Sequence, residues 1–156
     1  MESAMNQPDW KRVAEIELVY KTKVKASERP RIRETRDAAK LLMSLWNDGK
    51  IDLVEQFKIL LLNSANRVLG VVDISTGGVT GTIADPKLIF SAALKANACG
   101  IILSHNHPSG NIKPSQSDQQ LTAKIREAAK YLDIKVLDHI IVTSEDFYSF
   151  ADEGLL

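Results

Sequence analysis

The sequence predicts an α/β domain, a mixed β-sheet flanked by helices, and three observations carry that prediction. Stretches with apolar residues at helical spacing alternate with short runs of strand-forming residues. Two of those runs, Phe57-Lys58-Ile59-Leu60-Leu61-Leu62 and Val68 to Ile74, are separated only by the turn-forming residues 63–66, which reads as a hairpin. A third run, Cys99-Gly100-Ile101-Ile102-Leu103, is apolar throughout and reads as a buried strand. At 156 residues the chain is long enough to bury a core and is read as one globular domain over residues 33–156, preceded by an N-terminal segment over 1–32.

Each element has a local reason. Met1 to about Trp10 is polar and reads as disordered or loosely attached. Val13 to Val24 has Ile16, Leu18 and Tyr20 on one side and a Lys-rich end, which suits an exposed edge strand. Ala26 to Arg33 carries Pro30 and several charges and reads as a connector. Thr35 is placed to cap a helix through Trp46, with Ala38, Ala39, Leu42, Leu45 and Trp46 as its buried stripe and Asn47-Asp48-Gly49 as its stop. After the hairpin, Thr76-Gly77-Gly78 is a break, and a third strand is expected from Val79 to Ile83. Asp85-Pro86 starts a helix to about Asn97, with Asp85 as cap and Pro86 in the first helical position. Its apolar face is Ile89, Ala92, Ala93 and Ala96. Ser115 to Leu132 is a helix with Leu121, Ile125, Ala128, Ala129 and Leu132 at helical spacing. Ile134 to Thr143 is the last strand, and Phe147 to Phe150 a short aromatic tail.

Composition narrows the function. Twenty basic and twenty acidic residues cancel, so net charge gives no case for non-specific nucleic-acid or membrane binding. Lys21, Lys23, Lys25, Arg29, Arg31, Arg33, Arg36 and Lys40 do outnumber Glu28, Glu34 and Asp37 locally. A solvated arm or exposed strand edge is the simpler reading of that segment, and a DNA contact the alternative. The single cysteine, Cys99, excludes an internal disulfide and reads as a buried structural thiol. No apolar run approaches the roughly 20 residues that span a bilayer. No secretory h-region is present, and the expected compartment is cytoplasmic.

The chemistry concentrates in Ser104-His105-Asn106-His107-Pro108, followed by Ser115 and Asp118. In an extended segment, residues i and i+2 point to one side, so His105 and His107 can converge on one ion. Pro108 biases His107 towards an extended backbone. A carboxylate eleven residues later completes three ligands of the kinds that zinc accepts, with a position left for water. Ser115-Gln116-Ser117-Asp118 also matches a capping box, and the two roles of Asp118 are compatible. Such a zinc needs a base for its water, and Glu55, at the mouth of the first apolar strand, is the candidate, with Asp52 and Asp73 as weaker alternatives. His139 reads as structural, paired with Asp138. One cysteine excludes the zinc deaminase signature, and no His-Glu-x-x-His helix is present.

His105-x-His107-Pro108 and Ser115-x-x-Asp118, with a glutamate upstream, resemble the JAMM signature of JAB/MPN metallopeptidases. Ala98 to Gly110, Leu137 to Val142 and Ser149 to Leu156 resemble the bacterial RadC proteins, and the likeness runs from about Arg33 to Leu156. The resemblance implies a cytidine-deaminase-like fold and a Zn2+ held by His105, His107 and Asp118. It also implies Glu55 as general acid/base and Ser115 as the residue that stabilises the oxyanion. The implied reaction is hydrolysis of an amide or isopeptide bond in a peptide or isopeptide-linked protein substrate. RadC proteins carry a helix-hairpin-helix region linked to DNA binding, and the residues before Arg33 do not resemble it. The alternative is a DNA-associated accessory protein, in DNA repair or mobile-element biology, with a structural or vestigial metal site.

Overall fold

The computed structural model describes residues 12–15, 17, 21–78 and 83–156. Helix α1 (Thr35–Leu45) leads into a loop and the strand β1 (Gln56–Leu62), which pairs with β2 (Val68–Thr76) as the expected antiparallel hairpin. Helix α2 (Pro86–Lys95), strand β3 (Gly100–Asn106), helix α3 (Gln116–Lys130), and strands β4 (Lys135–Val142) and β5 (Phe147–Ser149) follow. The sheet order is β2-β1-β3-β4-β5. Among the described strands only β3 and β4 run parallel, joined through α3, and every other neighbouring pair is antiparallel.

Alternation along the strands divides the core in two. Phe57, Ile59, Leu61, Ile101 and Leu103 face α2 and α3, packing with Ile89, Ala93, Ile125 and Ala129. Leu60, Leu62, Ile102, Ile140 and Val142 face α1, packing with Ala38, Ala39, Leu42 and Trp46. Every residue of β1 and β3 is buried, as befits central strands covered on both faces. That double cover explains the unbroken apolar run that leads into the histidines.

Several local expectations are corrected. Glu34, not Thr35, is the N-cap of α1; Thr35 opens the helix and its hydroxyl donates to Asp152 Oδ1 at 2.9 Å. Leu45 and Leu132 are exposed, Leu45 at the last position of α1 and Leu132 beyond the end of α3 at Lys130. The Cys99 thiol is exposed, because Cys99 precedes β3 and only its peptide groups pair, with Leu62 and Lys135. Helix α2 stops at Lys95, with Asn97 in the left-handed region at φ 55°. β4 is not the last strand, since 147–149 adds β5 against it. The strand expected over 13–24 falls partly on residues outside those described, and its described residues lie in no strand. Most of the strand expected over 79–83 also lies outside the described residues. Among the described residues, no helix is long and apolar enough to cross a membrane.

Candidate metal centre

The site sits at the end of β3 that points towards the start of α3. Ile101, Leu103 and His105 share the face that packs on α2 and α3, so His105 enters the site from a rigid central strand and is 1% exposed. His107 follows β3 directly. Its peptide N–H donates to Val142 O at 3.1 Å, which extends the pairing with β4 by one residue. The chain then reverses in a turn, with Gly110 N donating to His107 O at 3.0 Å. Gly110 adopts φ +81°, a conformation that a residue with a Cβ resists. The return leads to Ser115, the N-cap of α3. Its Oγ accepts from Asp118 N at 3.1 Å and its N donates to Asp118 Oδ2 at 2.7 Å, the capping box expected from the sequence.

These elements bring the three expected ligands together. His105 Nε2 lies 3.0 Å from His107 Nε2 and 3.3 Å from Asp118 Oδ1, and His107 Nε2 lies 3.5 Å from Asp118 Oδ2. A tetrahedral zinc with bonds of about 2.0–2.1 Å has ligand–ligand edges of about 3.3–3.4 Å. Each imidazole nitrogen stands near that spacing from a carboxylate oxygen, His105 from Oδ1 and His107 from Oδ2, so these residues can hold a metal ion. His107 and Asp118 side chains keep 15% exposure against 1% for His105, so the cluster opens to solvent on their side.

The ring nitrogens that point away from the cluster fix which ones point into it. His107 Nδ1 donates to Asn111 O at 2.6 Å, leaving Nε2 as the free lone pair. The Thr122 hydroxyl donates its one proton to Asp118 O at 2.7 Å, so it accepts from His139 Nδ1 at 2.6 Å. His139 is fully buried and neutral, so its Nε2 accepts from His105 Nδ1 at 2.8 Å. His105 is thereby held in the tautomer whose Nε2 faces Asp118. Hydrogen-bonded partners of this kind are what orient metal-ligating imidazoles.

Electrostatics follow from the same contacts. Burial alone would raise the Asp118 pKa, but the His105 and His107 imidazoles beside it and the Ser115 N–H hold it well below the usual carboxylate range. Burial would lower the His107 pKa, yet the hydrogen bonds to Asp118 and Asn111 and the charges of Asp118 and Glu55 raise it above 6.5. Burial, reinforced by the neighbouring His105, lowers that of His139 well below 6.5.

Glu55 is half-buried immediately before β1. Phe57 pairs with His105 in the antiparallel register, and their rings stack 5.9 Å apart. Continuing that register by two residues sets Glu55 opposite His107 and on the same face as both imidazoles. The weaker alternatives are excluded by position: Asp73 is ion-paired with Lys58, one residue out of phase with Phe57, and Asp52 is exposed. Sequence reasoning missed Thr122 and the imidazole contacts of His139, since Asp138 accepts the His139 backbone N–H at 2.7 Å rather than its ring. One signal was present: Thr122 stands four residues after Asp118, on the same helical face.

A family model described as a RadC-like JAB domain matches residues 32–155. The chain belongs to that family. A UPF0758 protein of Flavobacterium johnsoniae is 50% identical over 101 residues, covering 65% of this chain and 44% of the relative. One from Porphyromonas gingivalis is 44% identical over 103 residues, 65% of this chain and 45% of its own. One from Clostridium beijerinckii is 33% identical over 144 residues, 92% of this chain and 62% of its own. The chain thus spans about half the length of the relatives it matches. For a RadC-like JAB domain, a five-stranded mixed sheet flanked by helices is the fitting architecture.

Proposed function

We propose that this RadC-like JAB domain is a zinc-dependent metallohydrolase that cleaves an amide or isopeptide bond in a protein or peptide substrate. The observation that carries the reading is the convergence of His105 Nε2 and His107 Nε2, 3.0 Å apart, on the Asp118 carboxylate, with both imidazole tautomers fixed from behind. His105, His107 and Asp118 would hold the ion. A zinc bound there would lower the pKa of a coordinated water from 15.7 to about 7. Glu55, on the same face, takes the proton from the attacking water and returns it to the leaving amine nitrogen, so one water is consumed and one acid and one amine are released. The Ser115 hydroxyl keeps its own proton while its oxygen accepts from Asp118 N, so it can donate to the carbonyl oxygen as that oxygen gains charge.

The first test is metal content by mass spectrometry of purified wild type beside His107→Ala and Asp118→Ala. About one zinc per chain is expected in the wild type and less than about a tenth of that in either variant. A wild type that takes up no stoichiometric zinc, even after reconstitution, would remove the hydrolase reading. With zinc established, Glu55→Gln should retain the metal and lower hydrolysis of peptide and isopeptide substrates by roughly a hundredfold or more.

A further inference from the structure

The residue between the two histidines has its own task. Asn106 faces the opposite side of β3 from the imidazoles and is fully buried. Its Nδ2 donates to Ile51 O at 2.7 Å and to Val54 O at 2.9 Å, and its Oδ1 accepts from Gln56 N at 2.7 Å. The turns over 47–54 bond to the carbonyls of Asn47 and Lys50, while those of Ile51 and Val54 bond to Asn106. A carboxamide, with two donors and an acceptor on one planar group, is the side chain that satisfies two carbonyls and one N–H together.

Two of those three groups flank Glu55. Val54 C=O belongs to the peptide unit before it and Gln56 N–H to the one after it. The other edges of the same two units are also bonded: Glu55 N donates to Gly78 O at 3.2 Å, and Glu55 O accepts from Gly77 N at 2.8 Å. All four polar groups of the two peptide planes around the Glu55 Cα are therefore held, two by a neighbouring backbone and two by Asn106. With both planes fixed, the direction of the Glu55 side chain is fixed relative to β3, the strand that carries His105.

We propose that Asn106 is a positioning residue for Glu55: its carboxamide locks the peptide planes on either side of the glutamate and so sets its distance from the metal ligands. The inference rests on the reading of Glu55 as the acid/base of a zinc site. It predicts that the spacing between base and metal is carried by one tripeptide, His105-Asn106-His107, with the ligands on one face and the latch on the other.

The test uses the zinc-loaded full chain and two small probes. Acetohydroxamate binds zinc and gives up a proton that the base accepts, whereas thiocyanate binds zinc without needing a base. A hydrogen bond to a charged group corresponds to roughly tenfold to a hundredfold in affinity. Glu55→Gln should weaken acetohydroxamate by about that factor, Asn106→Ala by about tenfold, and the double variant by no more than Glu55→Gln alone, because both changes remove one interaction. Thiocyanate affinity should stay within about twofold of wild type throughout. Asn106→Asp, which keeps the acceptor for Gln56 N and loses both donors, should weaken acetohydroxamate in the same way, and it decides the matter if Asn106→Ala does not fold.

Wild-type acetohydroxamate affinity in the folded Asn106 variants, beside a weakened Glu55→Gln, would overturn the inference and leave the function of Glu55 standing. A parallel loss of thiocyanate in the Asn106 variants would also overturn it, since the histidines themselves would then have moved. Unchanged acetohydroxamate binding in Glu55→Gln would remove the reading of Glu55, and this inference with it, without reference to Asn106.

Discussion

His139 shows how much a single buried side chain can decide. It touches no solvent, yet it selects the tautomer of His105 by accepting from Nδ1 while donating to Thr122. Removing it leaves His105 free to rotate or to protonate the wrong nitrogen. His139→Ala is therefore expected to weaken zinc binding by about tenfold to a hundredfold, read by competition with a chromophoric chelator. Unchanged affinity would mean that the strand alone orients His105. Protonation acts on the same cluster in opposite senses. His107 is raised above 6.5, so its contribution to metal-free stability is complete below 6.5 and is lost as pH rises through its higher folded value. Asp118 is depressed, so its contribution is present above 3.8 and is lost only as pH falls through its low folded value. The imidazolium–carboxylate pair is thus complete between 3.8 and 6.5 in the metal-free chain. Zinc must displace the His107 proton in that window. Calorimetry at about pH 6, in buffers of differing ionisation enthalpy, should report roughly one proton released per zinc, and a value near zero would contradict the pairing.

The elements around the site depend on a few local rules, and those rules decide what could be read in advance. Asp85 was legible as a cap because its carboxylate lies two residues before the N–H it accepts, Lys87 N at 2.9 Å, with Pro86 in the first helical position. Asp85→Ala should lower stability by about 1 kcal/mol in denaturant melts. The capping box at Ser115 and the two histidines were legible for the same reason: each is specified within four residues by a periodicity of strand or helix. Thr35 was misread because its hydroxyl, which could have capped the helix, is engaged instead by Asp152, 117 residues away. The roles of Thr122 and His139 were hidden by the same kind of distance, since the strand that carries His139 meets α3 only once β3 and β4 pair. Gly110 sits between these cases. Its need for φ +81° is local, and no atom lies within 4 Å of the position a Cβ would take. Gly110→Ala should therefore cost only about 1 kcal/mol, from the backbone rather than from a clash.

At the scale of the whole molecule, the sheet is the device that joins remote segments. Glu55 precedes β1, His105 lies near the end of β3, Asp118 in the first turn of α3 and His139 in β4, and they meet only because β3 pairs with β1 on one side and with β4 on the other. The order β2-β1-β3-β4-β5 is not written in any local pattern, because hairpin turns specify neighbours in sequence and not which hairpin strand meets β3. A metal held by β3 and α3 together would then bind the folded chain and not its separated segments. Its binding energy would appear as folding stability. At a free zinc concentration about a hundredfold above Kd, the gain is about 2.7 kcal/mol, which for a domain of this size raises Tm by roughly 5–10 °C. Calorimetric melts with zinc and with a chelator should differ by that amount in the wild type and by little in Asp118→Ala. Magnesium, which favours oxygen ligands and keeps its waters, should leave the melt unchanged. An equal rise with zinc in wild type and in Asp118→Ala would place the stabilising ion elsewhere on the chain. A rise confined to the wild type would tie it to the cluster that the sheet assembles.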